Sequence, residues 1–287
     1  MKNYIRLLRP KHYVKNAFIF APLFFSFSFD ETKALLTLIS FILFSMTASS
    51  IYIFNDLLDV NEDQKHPEKR YRPIASGEIS SNNASFLMIS LSSTSLITSY
   101  LLNIKIFTIL LIYTLLNLAY TMKLKHISIV DIFIIASGFV LRLLVGSTAT
   151  EVLLSPWIIV MTFLLALFLA IAKRRDDVIL SLSGRETRKN IHGYNLDFVN
   201  SIMTFMAGVI VVAYLSYALS NDVISRLGSN LYLTTVFVVF GIFRYLQLTI
   251  VEKKSGNPVN LLYRDLFFQI SIGAWLITFS LIVFISG

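Results

Sequence analysis

Residues 34–54, ALLTLISFILFSMTASSIYIF, run without a charge into residues 55–77, NDLLDVNEDQKHPEKRYRPIASG. The first half is about as long and apolar as a helix needs to be to cross a bilayer, roughly 20 residues. The second half sets carboxylates directly at the end of that crossing and cations directly after them. Working outward, eight more stretches have the same apolar character, near 14–29, 84–102, 106–122, 127–146, 156–172, 198–219, 231–250 and 266–286. The expectation is an all-α integral membrane protein of nine transmembrane helices, in one domain spanning 1–287. The composition agrees. The 287 residues are 55% hydrophobic and only 15% charged, with a mean hydropathy of +0.70, where a soluble domain carries about 25% charge. The 24 Phe and 13 Tyr exclude a disordered chain. With no cysteine, disulfides, thiolate metal sites and a cysteine nucleophile are excluded.

Charge placement gives the direction. If the N-terminus is cytoplasmic, twenty of the 25 Lys and Arg fall on the cytoplasmic side. Only Lys33, Lys105 and Arg226 fall opposite, and Arg142 and Arg244 lie within spans. That asymmetry is the positive-inside pattern. It puts the N-terminus and the polar chemistry in the cytoplasm, the protein in the cytoplasmic (inner) membrane and the C-terminus across it. All four histidines, His12, His66, His126 and His192, share the cytoplasmic side. The two long loops there, near 55–83 and 173–197, read as caps, and the basic, amphipathic residues 1–13 read as an interfacial helix without a signal-peptide cleavage site. The net charge of +8 points to anionic headgroups or substrates, not nucleic acid.

Asn55, Asp59 and Asp63 are spaced i, i+4, i+8, and Asp56 stands three and seven positions from Asp59 and Asp63. Like charges at that spacing destabilise a helix, and burying them at a membrane edge costs more unless a cation is bound. An oxygen-only donor set without His or Cys favours a hard ion, Mg²⁺, which keeps waters and shares its remaining positions with phosphate oxygens. The constellation therefore predicts a Mg²⁺–diphosphate site at this helix end, with Asp56, Asp59 and Asp63 as the candidate catalytic residues. Lys65, Lys69, Arg70 and Arg72 follow at once, and arginine forks bind phosphate in pairs of hydrogen bonds. A second cationic cluster, Lys173, Arg174 and Arg175 with Asp176 and Asp177, ends the sixth span, followed by Arg185, Arg188, Lys189 and Tyr194. As a group it is expected to form another wall of an anion pocket, although topology anchoring alone accounts for any one of its members. Tyr120, Lys123, Lys125, His126 and Asp131 make a third patch, and Arg142 is either a paired structural charge or part of a headgroup pocket. No P-loop, dinucleotide fingerprint, nucleophile elbow or HExxH occurs, so phosphate is held by metal and cations.

NDLLDVNED followed by HPEKRYRPIASG resembles the first aspartate motif, N-D-x-x-D-x-x-x-D, of the UbiA-type intramembrane prenyltransferases, and the resemblance runs over essentially the whole chain. LLRPKHYVKN (7–16), LKHISIVD (124–131), SGFVLRLLVG (137–146), AKRRDD (172–177) and NPVNLLYRD (257–265) are similar to the branch of that family that transfers phosphoribose to polyprenyl phosphates. The resemblance implies nine helices around a polar cavity open to the cytoplasm and laterally to lipid. It also implies Mg²⁺ held by Asn55, Asp56, Asp59 and Asp63, with phosphate groups met by Lys69, Arg70 and Arg72, and Lys15 and Asn16 lining the cavity. Tyr120, Lys125, His126, Arg142, Lys173, Arg174, Arg175, Arg188 and Tyr194 complete the expected substrate-binding set. The implied partners are phosphoribosyl diphosphate, a polyprenyl phosphate, the membrane and a possible homo-oligomer. One departure stands out: where prenyltransferases of the family carry a second acidic motif, this chain reads Lys173-Arg174-Arg175-Asp176-Asp177. The alternatives are a prenyl diphosphate-dependent transferase of the same fold and, more distantly, a non-enzymatic carrier of lipid phosphate.

Overall fold

The computed structural model describes residues 2–25, 30–183, 189–253 and 265–286. Eight helices among the described residues are long and apolar enough to cross a membrane. They are α3 (Glu31–Leu58), α5 (Ser81–Leu102), α6 (Ile104–Met122), α7 (Val130–Thr150), α8 (Pro156–Leu182), α9 (Leu196–Ala218), the span Leu231–Val251 containing α11 (Thr235–Leu246), and α12 (Leu266–Ser286). Shorter helices are α1 (Lys2–Leu8), α2 (Ala21–Phe25), α4 (Val60–Lys65) and α10 (Asn221–Leu227). The chain divides into two compact units, Met1–Ser155 and Pro156–Gly287.

Side-chain caps set where several spans begin. The Asp30 carboxylate accepts from the Thr32 and Lys33 amides at 2.8 and 3.4 Å, Asn103 accepts from Lys105 at 2.8 Å, and Asn195 accepts from Phe198 at 2.7 Å. Each cap satisfies amides the helix itself leaves unbonded. With Ser80 accepting from the Asn83 amide at 3.3 Å as well, α5, α6 and α9 start two or three residues before the apolar stretches at 84, 106 and 198.

The first expected span, 14–29, is not among the eight. Pro10–Phe20 forms a 3₁₀ run, followed by α2 to Phe25, and residues 26–29 lie outside the described residues. A 3₁₀ run of 11 residues is unusual, and its tertiary partners account for it. Tyr13 and Asn16 bond to Ser49 and Ser45 of α3 at 2.8 and 2.9 Å. Its backbone crosses α7 at Gly146, where a Cβ would fall 2.0 Å from the Ile19 carbonyl oxygen. Only glycine admits that approach.

In the first unit, α3 is the central element. Leu43, Phe44, Ala48 and Ile51 pack with Ile106, Leu110 and Tyr113 of α6, Val145 and Ala149 of α7, and Ile19. Small hydroxyl residues bring α3 against α5: Thr47 and Ser95 share a 2.6 Å hydrogen bond, and Ser95 also donates to the Leu43 carbonyl at 2.7 Å. Such contacts hold helices together where lipid removes the hydrophobic drive between them. In the second unit, Tyr214 bonds Thr234 at 2.6 Å and accepts from the Trp275 ring nitrogen at 2.8 Å. Helix α8 runs ten residues past the expected end at 172, so the second cap loop begins as helix. Of the charged residues on that extension, Arg174 and Arg175 are buried, Asp176 and Asp177 are half-buried and Lys173 is exposed.

Candidate functional site: an acidic helix end under a cationic rim

Helix α3 carries the acidic motif to its C-terminal end. Asp59 leaves helical geometry there (φ −91°, ψ 8°), and α4 resumes at Val60. The backbone nevertheless continues through the bend, since the Asp59 amide bonds the Asn55 carbonyl at 3.0 Å and the Asp63 amide bonds the Asp59 carbonyl at 2.8 Å. Asp56 and Asp63, seven positions apart, thus share a face.

Those two carboxylates converge on one cation. Arg72 Nη1 donates to Asp56 Oδ1 at 2.9 Å and to Asp63 Oδ2 at 2.6 Å. Both carboxylate side chains are almost fully buried, at 2% and 3% exposed, whereas Arg72 is 27% exposed. The loop brings Arg72 back because Pro73, Ile74 and Ala75 are buried and the Arg72 carbonyl accepts from the Ser76 amide at 2.9 Å. A further arginine, Arg9, reaches the same Asp56 oxygen at 2.5 Å. Helix α1 fixes its position. Leu7 is buried, Arg6 bonds Glu78 at 3.0 Å and the Tyr71 carbonyl at 2.6 Å, and Ser49 donates to the Leu8 carbonyl at 2.9 Å.

Asn55 and Asp59 form a separate pair. Asn55 donates to Asp59 Oδ2 at 3.0 Å, and Lys125, from the turn between α6 and α7, donates to both Asp59 oxygens at 2.7 and 3.1 Å. The four expected oxygen donors thus fall into two sets with different partners, Asp56 and Asp63 on Arg72 and Asn55 and Asp59 with Lys125. Among the described residues no three His, Cys, Asp or Glu side chains gather closely enough to hold one ion. Two buried carboxylate oxygens meeting at one cationic nitrogen nevertheless suit Mg²⁺, which is commonly held by one or two carboxylates with waters and phosphate oxygens completing the shell. Burial raises the Asp63 carboxyl pKa above its ordinary value of 3.8, and the charge and hydrogen bond of Arg72 pull it back.

The other expected residues fall into distinct places. Lys69 is half-buried, and its charge also lowers the Asp63 pKa. Arg70 is exposed and donates to the adjacent Tyr71 hydroxyl at 2.7 Å, away from the carboxylates. Asn16 and Arg142 meet inside the first unit. Arg142 donates to Asn16 at 2.8 Å, the Gly138 carbonyl at 2.6 Å and the Tyr113 hydroxyl at 3.2 Å, and lies over the rings of Phe44, Tyr113 and Phe139. It is a buried cation with neutral partners. Lys15 and Tyr120 are half-buried and His126 is exposed. In the second unit Lys173 is exposed, Arg174 is 1% exposed and ion-paired with Asp177, and Tyr194 is buried beside Phe198. Arg175 donates to Asn200 at 2.8 Å and to the Thr249 and Ile250 carbonyls at 2.7 and 3.4 Å. Those carbonyls belong to a π-helical turn, Gln247–Val251. The expectation that Arg174 and Arg175 serve as an open anion wall thus meets two buried guanidinium groups bonded within their own unit. Arg188 lies outside the described residues. Arg9 was absent from the expected set. In the sequence it stands only as a member of the LLRPKHYVKN stretch, directly before Pro10.

A buried acidic helix end under a rim of cations, on a membrane-embedded helical fold, defines the class. The chain belongs to the UbiA prenyltransferase family, which it matches over residues 17–272, a stretch that spans both units. A decaprenyl-phosphate phosphoribosyltransferase from Mycolicibacterium smegmatis is 30% identical over 296 aligned positions, covering 98% of this chain and 92% of that protein. One from Corynebacterium glutamicum is 29% identical, covering 98% and 86%. Among solved structures, a UbiA homolog from Archaeoglobus fulgidus bound to DMAPP and Mg²⁺ superposes with a TM-score of 0.72 at 18% identity, over 98% of this chain and 99% of that one. The protein is an integral membrane enzyme of this family.

Proposed function

We propose that the enzyme transfers 5-phosphoribose from phosphoribosyl diphosphate to a polyprenyl phosphate, releasing diphosphate, with Asp56 and Asp63 holding Mg²⁺. The observation that carries this reading is the meeting of those two buried carboxylates at one nitrogen of Arg72, with Arg9 on Asp56, the charge of Lys69 acting on Asp63 and Lys125 on the neighbouring Asp59. A donor with a diphosphate and a 5-phosphate, and an acceptor that is itself a phosphate, need more positive charge than one diphosphate does. The names of the relatives at about 30% identity support the same substrates. The cytoplasmic side, from the lysine and arginine asymmetry, is where a soluble phosphorylated donor is available.

Bound Mg²⁺ supplies charge neutralisation for the departing diphosphate. Arg72 and Lys69 bind and orient phosphate oxygens, and Lys125 with Asn55 orients Asp59 at the rim. Positioning and charge stabilisation are the catalytic contributions available to such residues. The bond from ribose C1 to the diphosphate oxygen breaks while a lipid phosphate oxygen bonds to C1 from the opposite face, inverting the anomeric centre. The acceptor phosphate is ionised near neutral pH, so no general base is required.

Purified protein in detergent, given phosphoribosyl diphosphate, Mg²⁺ and polyprenyl phosphate, should release diphosphate. Asp56→Asn and Asp63→Asn should abolish the release while leaving expression intact. Turnover of a prenyl diphosphate with an aromatic acceptor, and none of phosphoribosyl diphosphate, would replace this reading with prenyl transfer.

A further inference from the structure

We propose that Arg70 and Tyr71, together with Lys2 of α1, form a docking site for the headgroups of anionic phospholipids, outside the site that holds the carboxylates. Such a site is independent of which group the enzyme transfers. Arg70 and Arg72 part company within a short 3₁₀ turn, Lys69–Tyr71, closed by the Arg72 amide on the Lys69 carbonyl at 2.9 Å. Arg72 reaches inward to Asp56 and Asp63, whereas Arg70 is exposed. The Arg70 guanidinium lies 4.9 Å from the centre of the Tyr71 ring and donates to the Tyr71 hydroxyl at 2.7 Å. Among the described residues it has no ion pair. An arginine fork laid on an aromatic ring, with no carboxylate to answer it, is suited to a pair of phosphate oxygens.

Helix α1 stands beside this pair. Arg6 donates to the Tyr71 carbonyl at 2.6 Å and to Glu78 at 3.0 Å, and Glu78 answers the Arg6 charge. Lys2, one turn earlier on the same face of α1, is exposed and has no ion pair among the described residues. The apolar surroundings decide which kind of phosphate fits. Tyr71 is 58% exposed and Ile5 52%, and Tyr4 next to Ile5 is exposed as well. They lie where α3 leaves the membrane, since Ser49 holds the Leu8 carbonyl and Leu58, the last residue of α3, is itself exposed. At a bilayer surface such side chains enter the acyl boundary while lysine and arginine stay among the headgroups. A soluble phosphate ester offers nothing to Ile5 and Tyr4. A phospholipid meets both the cations and the apolar surface.

Charge selects among phospholipids. A zwitterionic headgroup brings its own ammonium, which Lys2 and Arg70 repel, and an anionic headgroup brings none. Each basic residue near an anionic membrane surface strengthens the attraction about fivefold. The exposed Glu68 at the start of the same turn works against them. Occupancy is felt further in through the backbone, because Tyr71 directly precedes Arg72 and its carbonyl is held by Arg6. A headgroup on Arg70 and Tyr71 braces the 3₁₀ turn from outside, so anionic lipid should raise the melting temperature.

The test titrates phosphatidylglycerol onto purified full-length protein in detergent, counting bound lipid by native mass spectrometry. Melting temperatures are then compared in nanodiscs of phosphatidylcholine with and without phosphatidylglycerol. Wild type should prefer phosphatidylglycerol to phosphatidylcholine and melt higher in its presence. Arg70→Gln and Lys2→Gln should each weaken phosphatidylglycerol binding about fivefold and shrink the melting shift, with the melting temperature in phosphatidylcholine unchanged. Glu68→Gln should strengthen the binding, an opposite sign that a purely structural turn does not produce. Lys105→Gln, at the opposite end of α6 from Lys125, should change neither readout. Inorganic diphosphate with Mg²⁺, in phosphatidylcholine discs, separates a headgroup from a substrate phosphate: wild type and Arg70→Gln should bind it equally. Weaker diphosphate binding by Arg70→Gln would put Arg70 in the substrate site and overturn the proposal. Equal wild-type affinity for the two lipids, an unchanged phosphatidylglycerol affinity in Arg70→Gln, or a melting temperature lowered equally in both kinds of disc would overturn it as well.

Discussion

Arg72→Gln removes the one group that lies between two buried carboxylates. In the metal-free protein, Asp56 keeps Arg9, so Asp63 becomes the orphan. Removing one partner of a buried ion pair costs about 3–5 kcal/mol. The guanidinium is 27% exposed, so solvent screens part of that, and about 2–3 kcal/mol is the expected loss. At about 2–4 °C per kcal/mol for chains somewhat smaller than this one, the melting temperature should fall by roughly 5–10 °C. The assay is thermal unfolding in detergent with a chelator, repeated with Mg²⁺ in excess. A divalent ion replaces the missing charge between Asp56 and Asp63, so the variant should gain more from Mg²⁺ than the wild type does. Saturation at one hundred times the dissociation constant is worth about 2.7 kcal/mol. Adding Asp63→Asn to Arg72→Gln should recover most of the loss, because no charge is then left unpaired. Equal melting temperatures for wild type and Arg72→Gln under chelation, with equal Mg²⁺ responses, would show that the two carboxylates do not share a cation.

The pH dependence follows from Asp63. Burial raises its carboxyl pKa above 3.8, so the folded chain holds that proton more tightly than the unfolded chain does. Metal-free stability should therefore fall as pH climbs from 3.8 through the folded value. Divalent-ion binding, which needs the carboxylate, should be lost on acidification with a midpoint above 3.8. Mn²⁺ affinity at low, sub-saturating metal checks this across pH, and an affinity that stays constant down to pH 3.8 contradicts the burial effect. Two glycines give a packing contrast. Gly146→Ala drives a Cβ into the Ile19 carbonyl, whereas Gly208→Ala on α9 meets nothing within 4 Å. The first should cost about 3 kcal/mol or more as the 10–20 segment is pushed off α7. The second should be neutral or stabilising by up to about 1 kcal/mol. Melting temperatures of the pair decide it, and similar values would mean that the 10–20 segment does not cross α7 at Gly146.

The sequence alone located the eight helices that are long and apolar enough to cross a membrane, while the expected span at 14–29 is not among them. An apolar run of about 20 residues has no other way to bury its backbone polar groups in lipid, and capping residues such as Asn103 and Asn195 are local signals. It also placed the acidic motif at the end of the second expected span, since Asp56 and Asp63 lie two helical turns apart whatever surrounds them. Tertiary structure decided which groups answer those carboxylates. Arg9 is 47 positions from Asp56, and Lys125 is 66 from Asp59, and no periodicity links residues on different helices. The bend at Asp59 was equally hidden, because its i, i+4 spacing reads as a continuous helix face. Burial sets Arg174, Arg175 and Arg142 apart from the more exposed cations at the acidic helix end, whose charges look alike in sequence. A charged side chain is pulled inward only when fixed acceptors replace its water, and Asp177, the Thr249 carbonyl and Asn16 become such acceptors only once their helices have packed.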